Sequence, residues 1–274
     1  SDVCSSDLTE KTGKFYLNYT FKGWYPLIDF EISSGKRASE YLQINQTRNQ
    51  QGEIIRQDTT KNRFTWSEFR GSADIRLPLN FGKGALNRIL QPEIQYDFTA
   101  YKRNASTPER FLDGNFHTLN YRLYYHQLLK RSYQDVYPDA GIVVDMVYRH
   151  SPAGTLDLGN QKAVQANIYL PGLLKNHGIK LYGGAQLTPN NSGLGFSDIV
   201  RYARGWGRIN TTGLFTAAAT YKLPLVYPDW DFLGLIYLKR LKVALFGDAT
   251  RLEGNLYHRG EVTSRFVKNI SSFG

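Results

Sequence analysis

Apolar residues recur at every second position along almost the whole chain, and a period of two describes a β-strand with one buried face, not an α-helix. In Gly141–Arg149, Ile142, Val144, Met146 and Tyr148 share one face, and Val143, Asp145, Val147 and Arg149 share the other. Ile94–Tyr101 sets Ile94, Tyr96, Phe98 and Ala100 against Gln95, Asp97, Thr99 and Tyr101. The same alternation runs through about Lys14–Lys22, Leu27–Ser33, Glu68–Leu77, His117–Gln127, Gln161–Leu170 and Ile179–Leu187. Two longer and noisier runs follow, about Leu214–Leu223 and Tyr237–Thr250. The chain therefore predicts roughly ten strands and an all-β fold.

Strand length and the polar face separate the all-β classes. Strands of a soluble sandwich average about five or six residues, whereas several runs here last nine to eleven, the length a tilted strand needs to cross a bilayer. The polar face carries Arg70, Asp74, Arg76, Asp97, Arg122, Asp145, Arg149 and Lys180, both signs mixed in mid-strand. Such a face suits a hydrated lumen in which opposite charges pair across neighbouring strands. The opposite face is small or aliphatic in mid-strand, with aromatic residues near strand ends. Short links (Lys22–Pro26, Tyr133–Pro138, Pro171–Gly178) alternate with long ones (Gly35–Asn62, Lys102–Phe116, Ser151–Asn160, Thr188–Ile209), as turns and outer loops do in membrane barrels. Pro78–Ile89 is longer than this alternation predicts. The expectation is an antiparallel transmembrane β-barrel. A soluble β-sandwich or solenoid is the alternative.

Composition excludes other classes. Mean hydropathy is −0.43, and the longest nearly unbroken apolar run, Phe232–Leu238, is far short of the roughly 18 residues of a membrane helix. Aromatic residues make up 14% of the chain, against disorder. The net charge of +10 would suit nucleic acid, but the basic residues are dispersed and form no block, so no nucleic-acid partner is expected. The single cysteine, Cys4, rules out an internal disulfide framework and a CxxC metal site. It lies in Ser1–Leu8, which lacks a signal peptide's charged and apolar regions and looks like translated sequencing-adaptor sequence, so residues 1–12 are set apart as non-native. The remaining 13–274 are expected to form a partial barrel domain, because nothing after Ile270 reads as a closing element.

Ala203-Arg204-Gly205-Trp206 lies in the long link before Leu214, followed by a strand ending Tyr221-Lys222-Leu223-Pro224 and another ending Phe246-Gly247-Asp248-Ala249-Thr250. This order resembles the BamA/TamA-like superfamily of outer-membrane proteins, the bacterial surface antigen group. There a VRGF/Y-type tetrad tips a long outer loop and an F-x-D-x-G motif follows a strand ending in Pro. Arg204, Gly205 and Trp206 match the tetrad, and Ala203 replaces its Val or Ile. Phe246 and Asp248 match the second motif, with Thr250 where Gly is usual. Thr220 occupies a place often acidic in the family. The resemblance implies a divergent member, a barrel of roughly sixteen strands of which three precede the first one here, and Arg204 reaching into the lumen toward Asp248. It also implies protein insertion or export at the bacterial outer membrane. The partners it implies are outer-membrane lipid and lipopolysaccharide, client outer-membrane or secreted proteins, and periplasmic domains of the same full-length chain.

The residues themselves support the pairing by parity. With Leu241, Val243 and Leu245 on the apolar face, Phe246 and Asp248 fall on the polar one. A solvated loop arginine is the alternative. His117, His126, His150, His177 and His258 show no metal-ligand spacing, and no Ser/His pair marks a nucleophile. Gly183-Gly184 lacks the strand–glycine–helix context of a phosphate loop. No catalytic residue, metal or cofactor is therefore expected. Two other functions stay open: a porin or solute channel, and a soluble all-β binding module.

Overall fold

The computed structural model describes residues 13–48, 54–108, 113–130, 135–189, 195–207, 211–232, 234, 236–258 and 261–274, with backbone alone for 40–48, 54–60, 232, 256–258 and 261–264. Residues 1–12, with Cys4, lie outside them. Strand is the only regular structure among the described residues, so no helix there is long and apolar enough to cross a membrane, which says nothing of a β-barrel.

The elements are β1 (Lys14–Phe21), β2 (Leu27–Arg48), β3 (Ile54–Arg76), β4 (Leu79–Asn80), β5 (Leu86–Arg103), β6 (Gly114–Leu129), β7 (Gly141–Gly154), β8 (Asn160–Pro171), β9 (Gly178–Leu187), β10 (Gly213–Val226), β11 (Trp230–Phe232), β12 (Ile236–Leu238), β13 (Leu241–His258) and β14 (Glu261–Phe273). One antiparallel meander runs β1-β2-β3-β5-β6-β7-β8-β9-β10-β13-β14, with β4 beside β5, while β11 and β12 form a separate hairpin. The all-β reading holds. The sheet is not closed as a barrel, and β1 and β14 are its two edges.

Register carries the alternation from strand to strand. The pairs Ile32↔Gly71, Ile94↔Tyr121, Leu123↔Met146, Val164↔Ala185, Ala217↔Ala249 and Gly247↔Phe273 keep one face apolar from β2 to β14. The pairs Ser33↔Arg70, Ser72↔Asp97, Glu93↔Arg122, Asp145↔Gln165, Lys180↔Thr220 and Asp248↔Ser272 keep the other polar. The apolar face is bare: Phe15 at one end is 59% exposed and Leu245 at the other 56%. The small buried apolar cluster lies on the polar face, where Ala163, Leu214, Leu252 and Ile270 pack against Val200 and Ala203 of the β9–β10 loop.

Three segments differ from the sequence expectation. Most of Gly35–Asn62, expected as a long loop, is an extension of the β2–β3 hairpin paired as far as Arg48↔Ile54. On β2 only Ala38, Leu42 and Ile44 keep the parity of Ile32, and the β3 half is almost wholly polar, so the alternation that marks a half-buried strand is too sparse to read. The over-long Pro78–Ile89 link is a strand interrupted by proline. Leu77 N–H donates to Pro92 O, β4 resumes the pairing as Leu79↔Leu90, and the chain turns at Lys83–Leu86, where Gly84 has φ +59°. Neither Pro78 nor Pro92 has an N–H, so the neighbour of β5 changes from β3 to β4 where ladder donors are lacking. Finally, Tyr237–Thr250 is not one strand. Tyr237 belongs to β12, and β13 begins at Leu241. The expected alternation of short and long links also ends there, because the β10–β13 connection carries a hairpin of its own.

Candidate functional site

Charge pairing organises the polar face of β2 to β7. Arg70 Nη2 donates to Asp97 Oδ1 at 2.8 Å. Arg122 grips Asp145 with two parallel bonds, Nε to Oδ1 at 2.8 Å and Nη2 to Oδ2 at 3.1 Å, and its Nη1 lies 3.9 Å from Glu93. Arg76 bridges Asp29 on β2 and Asp74 on its own strand. Bidentate guanidinium–carboxylate geometry is the strong form of such contacts. Arg149 and Lys180, on the same polar face, behave differently. The Arg149 guanidinium lies 5.8 Å from the Phe196 ring, and Lys180 Nζ lies 5.8 Å from the Tyr169 ring. Neither forms an ion pair among the described residues.

From β8 to β14 the polar face is built mostly from Gln, Thr, Tyr and apolar residues, with Lys180 and Asp248 among them, and the β9–β10 loop lies on it. Side chains of the strands engage the loop backbone at almost every step. Gln161 Nε2 donates to Ser197 O at 3.2 Å. Gln186 Oε1 accepts from Ile199 N–H at 2.8 Å and Val200 N–H at 3.3 Å, while its Nε2 donates to Asp198 Oδ1 at 2.5 Å. Tyr182 Oη accepts from Arg201 N–H, Thr216 Oγ1 donates to Arg201 O, and Thr250 Oγ1 accepts from Ala203 N–H. Gln161, Gln186, Thr216 and Thr250 are all buried, so each of these polar groups needs its partner. The close approach needs a glycine: a Cβ on Gly184 would meet Val200 Cγ1 at 2.8 Å.

The loop tip holds the residues of the tetrad. Asp248, 2% exposed, accepts the backbone N–H of Arg204 at 3.1 Å on Oδ2, and Arg204 Nε approaches the same oxygen at 3.4 Å. The rest of the guanidinium goes elsewhere. Nη2 donates to Thr220 Oγ1 at 2.9 Å, and the plane lies 4.0 Å from the centre of the Phe246 ring. The structure thus brings Arg204, Asp248 and Phe246 together, but not as a two-donor fork on the carboxylate. Thr220 is a second partner of the guanidinium. Gly205 adopts φ +82°, the left-handed region that only glycine enters without strain, and this turns the chain so that Trp206 N–H reaches Ala203 O. The Trp206 indole donates to Ser271 O on β14 at 3.4 Å, under Lys268 Nζ at 5.2 Å.

A second arginine escaped the sequence reading. Arg201 Nη2 stands 4.0 Å from Asp248 Oδ1, and its guanidinium covers the Tyr182 ring at 4.1 Å. Gln186, Tyr182 and Thr216 were equally illegible, since such residues on a polar strand face carry no motif, and Thr250 was read only as a departure from a motif's glycine. Among the described residues, no group of three or more His, Cys, Asp or Glu comes together as a metal site would require. Compared with protein-family models, curated proteins and solved structures, the chain matches none of them.

Proposed function

We propose that this chain forms part of the wall of a bacterial outer-membrane β-barrel that inserts or translocates other proteins without covalent catalysis, its β9–β10 loop folded against the lumen side. The observation that supports a membrane setting is the apolar face left bare across the sheet, from Phe15 to Leu245, backed by a face of paired charges. Monomeric soluble proteins rarely expose apolar patches beyond a few hundred Å², and hydrocarbon would cover this one while water filled the other side. The insertion role rests on the resemblance of Arg204, Gly205, Trp206, Phe246 and Asp248 to the tetrad and its partner motif, together with their contact at the loop tip. Its mechanism would be strand exchange at a weakly closed seam, where unpaired backbone groups capture a client strand.

The membrane reading is tested by labelling single cysteines with a membrane-impermeant thiol reagent. Cysteines at Ile142, Val144 and Ile168 should stay protected in lipid, and those at Asp145 and Arg122 should react. Equal labelling of the two faces would overturn the reading. Val144→Arg should cost about 2–4 kcal/mol if that position lies near the bilayer midplane, measured by equilibrium unfolding from vesicles.

A solute pore is the second reading. It is favoured by the cavity of about 360 Å³ on the polar face of β3 to β7, lined by Arg70, Asp97, Asn120 and Arg149 and roofed by Leu158 and Phe196. Planar-bilayer recording separates the two: steady large conductance supports the pore, and near silence the plugged insertase.

A further inference from the structure

The apolar face is not uniformly flat. A groove of about 540 Å³ crosses it from β5 to β10, within the roughly 300–1,000 Å³ typical of small-molecule sites. Its floor is Val164 and Ala185, paired across β8 and β9. Met146 on β7 and Phe215 on β10, the partners of Val164 and Ala185, continue that row along the groove in both directions. Along one bank, toward the end of the sheet that carries the β7–β8 and β9–β10 loops, lie Tyr148 and Lys162, directly opposed in register.

Lys162 is the unusual member. It is exposed, it stands on the apolar face, and among the described residues no carboxylate forms an ion pair with it; its Nζ lies 5.9 Å from the Tyr148 ring. Beside it, His150 stacks on Tyr148 at 5.4 Å and on Tyr121 at 6.0 Å, so amphipathic rings gather where the lysine projects. Glu93 also borders the groove, but its carboxylate belongs to the polar face, 3.9 Å from Arg122. One unmatched positive charge above a purely apolar trough complements one molecule class well: a lipid with a single anionic phosphodiester and an acyl chain.

We propose that this groove retains one anionic phosphodiester lipid, its acyl chain along Met146, Val164 and Ala185 and its phosphate on Lys162. The assignment rests on the membrane reading above. Strands tilted by about 45° incline a groove that crosses them by a similar angle to the membrane normal, so the chain enters without leaving the bilayer. Aromatic rings and a lysine at headgroup depth anchor the polar end.

The test uses the protein folded in nanodiscs of phosphatidylcholine doped with phosphatidylglycerol, extracted into mild detergent and weighed by native mass spectrometry. Wild type should retain one phosphatidylglycerol. Lys162→Gln should lower that retention about tenfold, the effect of roughly 1.4 kcal/mol of lost ion pairing. Ala185→Phe, which fills the trough and leaves the lysine, should abolish it. Equal retention by all three proteins, or phosphatidylcholine retained as well as phosphatidylglycerol, overturns the proposal. Thiol labelling in the same discs keeps the two readings apart. Protection of a Val144 cysteine with unchanged lipid retention defeats the groove alone, whereas labelling of that cysteine defeats the membrane setting as well.

Discussion

The two halves of the polar face, β2 to β7 and β8 to β14, grow from the same alternation and do opposite things. In the first half, charges satisfy one another across strands, as in Arg70–Asp97 and Arg122–Asp145, and the side chains stay partly open to water. In the second, hydroxyls and amides keep hydrogen-bonding capacity beyond their few contacts along the wall, such as Thr216 with Thr250, and the β9–β10 loop meets it with its own backbone. A wall of matched ion pairs is complete without a cover. A wall of Gln186, Thr216 and Thr250 is complete only when something lies on it. Here the cover is a loop of the same chain.

That contrast can be broken by substitution. Gln186→Leu should have the largest effect, because it strands the amides of Ile199 and Val200 at a buried site, each costing about 1–3 kcal/mol. Limited proteolysis should then cut the loop while the strands stay protected by amide hydrogen exchange. If the loop remains resistant, the wall does not hold it through its backbone.

Arg204→Ala comes next. It removes the bond to Thr220, the stacking on Phe246 and the Nε approach to Asp248 but leaves the Arg204 N–H on Asp248, so about 1–3 kcal/mol should be lost, more than an exposed ion pair contributes. Arg204→Lys should recover little, since an ammonium lacks the planar surface that rests on the ring. Exchanging the two charges, Arg204→Asp with Asp248→Arg, should not restore the loop either. The new arginine has no acceptor for the backbone N–H that Asp248 now receives. Wild-type loop proteolysis of the exchanged protein would show that the contact is Coulombic and nothing more.

The smallest effect belongs to the other half. Arg37→Ala breaks a solvent-exposed contact with Glu68 and should cost about 0–1 kcal/mol, fading with added salt. A larger loss would mean that the matched wall also depends on its individual pairs.

Much of this was legible beforehand, for a definite reason. Alternation reports which face each residue takes, and the order of Arg204, Pro224 and Asp248 together with parity put the last on the loop's side of the sheet. Alternation fails where apolar residues are sparse on both faces, and the β2–β3 extension past Gly35 went unread for that cause. It also cannot tell a strand from a strand with a proline gap, which hid β4. The cradle around the loop was illegible for a different reason. Its partners are backbone amides and carbonyls, which every residue has, so nothing in the sequence of Asp198–Ala203 announces that Gln186 will bind it.

The loop is tied at both ends, to β9 at Leu187 and to β10 at Gly213, strands that already pair with each other. It therefore behaves as a ligand that never diffuses away, present over its cradle at an effective concentration of the order of millimolar. A free peptide copying residues 197–204 at micromolar concentration would lose that competition about a thousandfold. Whatever else is to touch Gln186, Thr216 or Asp248 has to wait for the loop to lift or bind more tightly than the loop does.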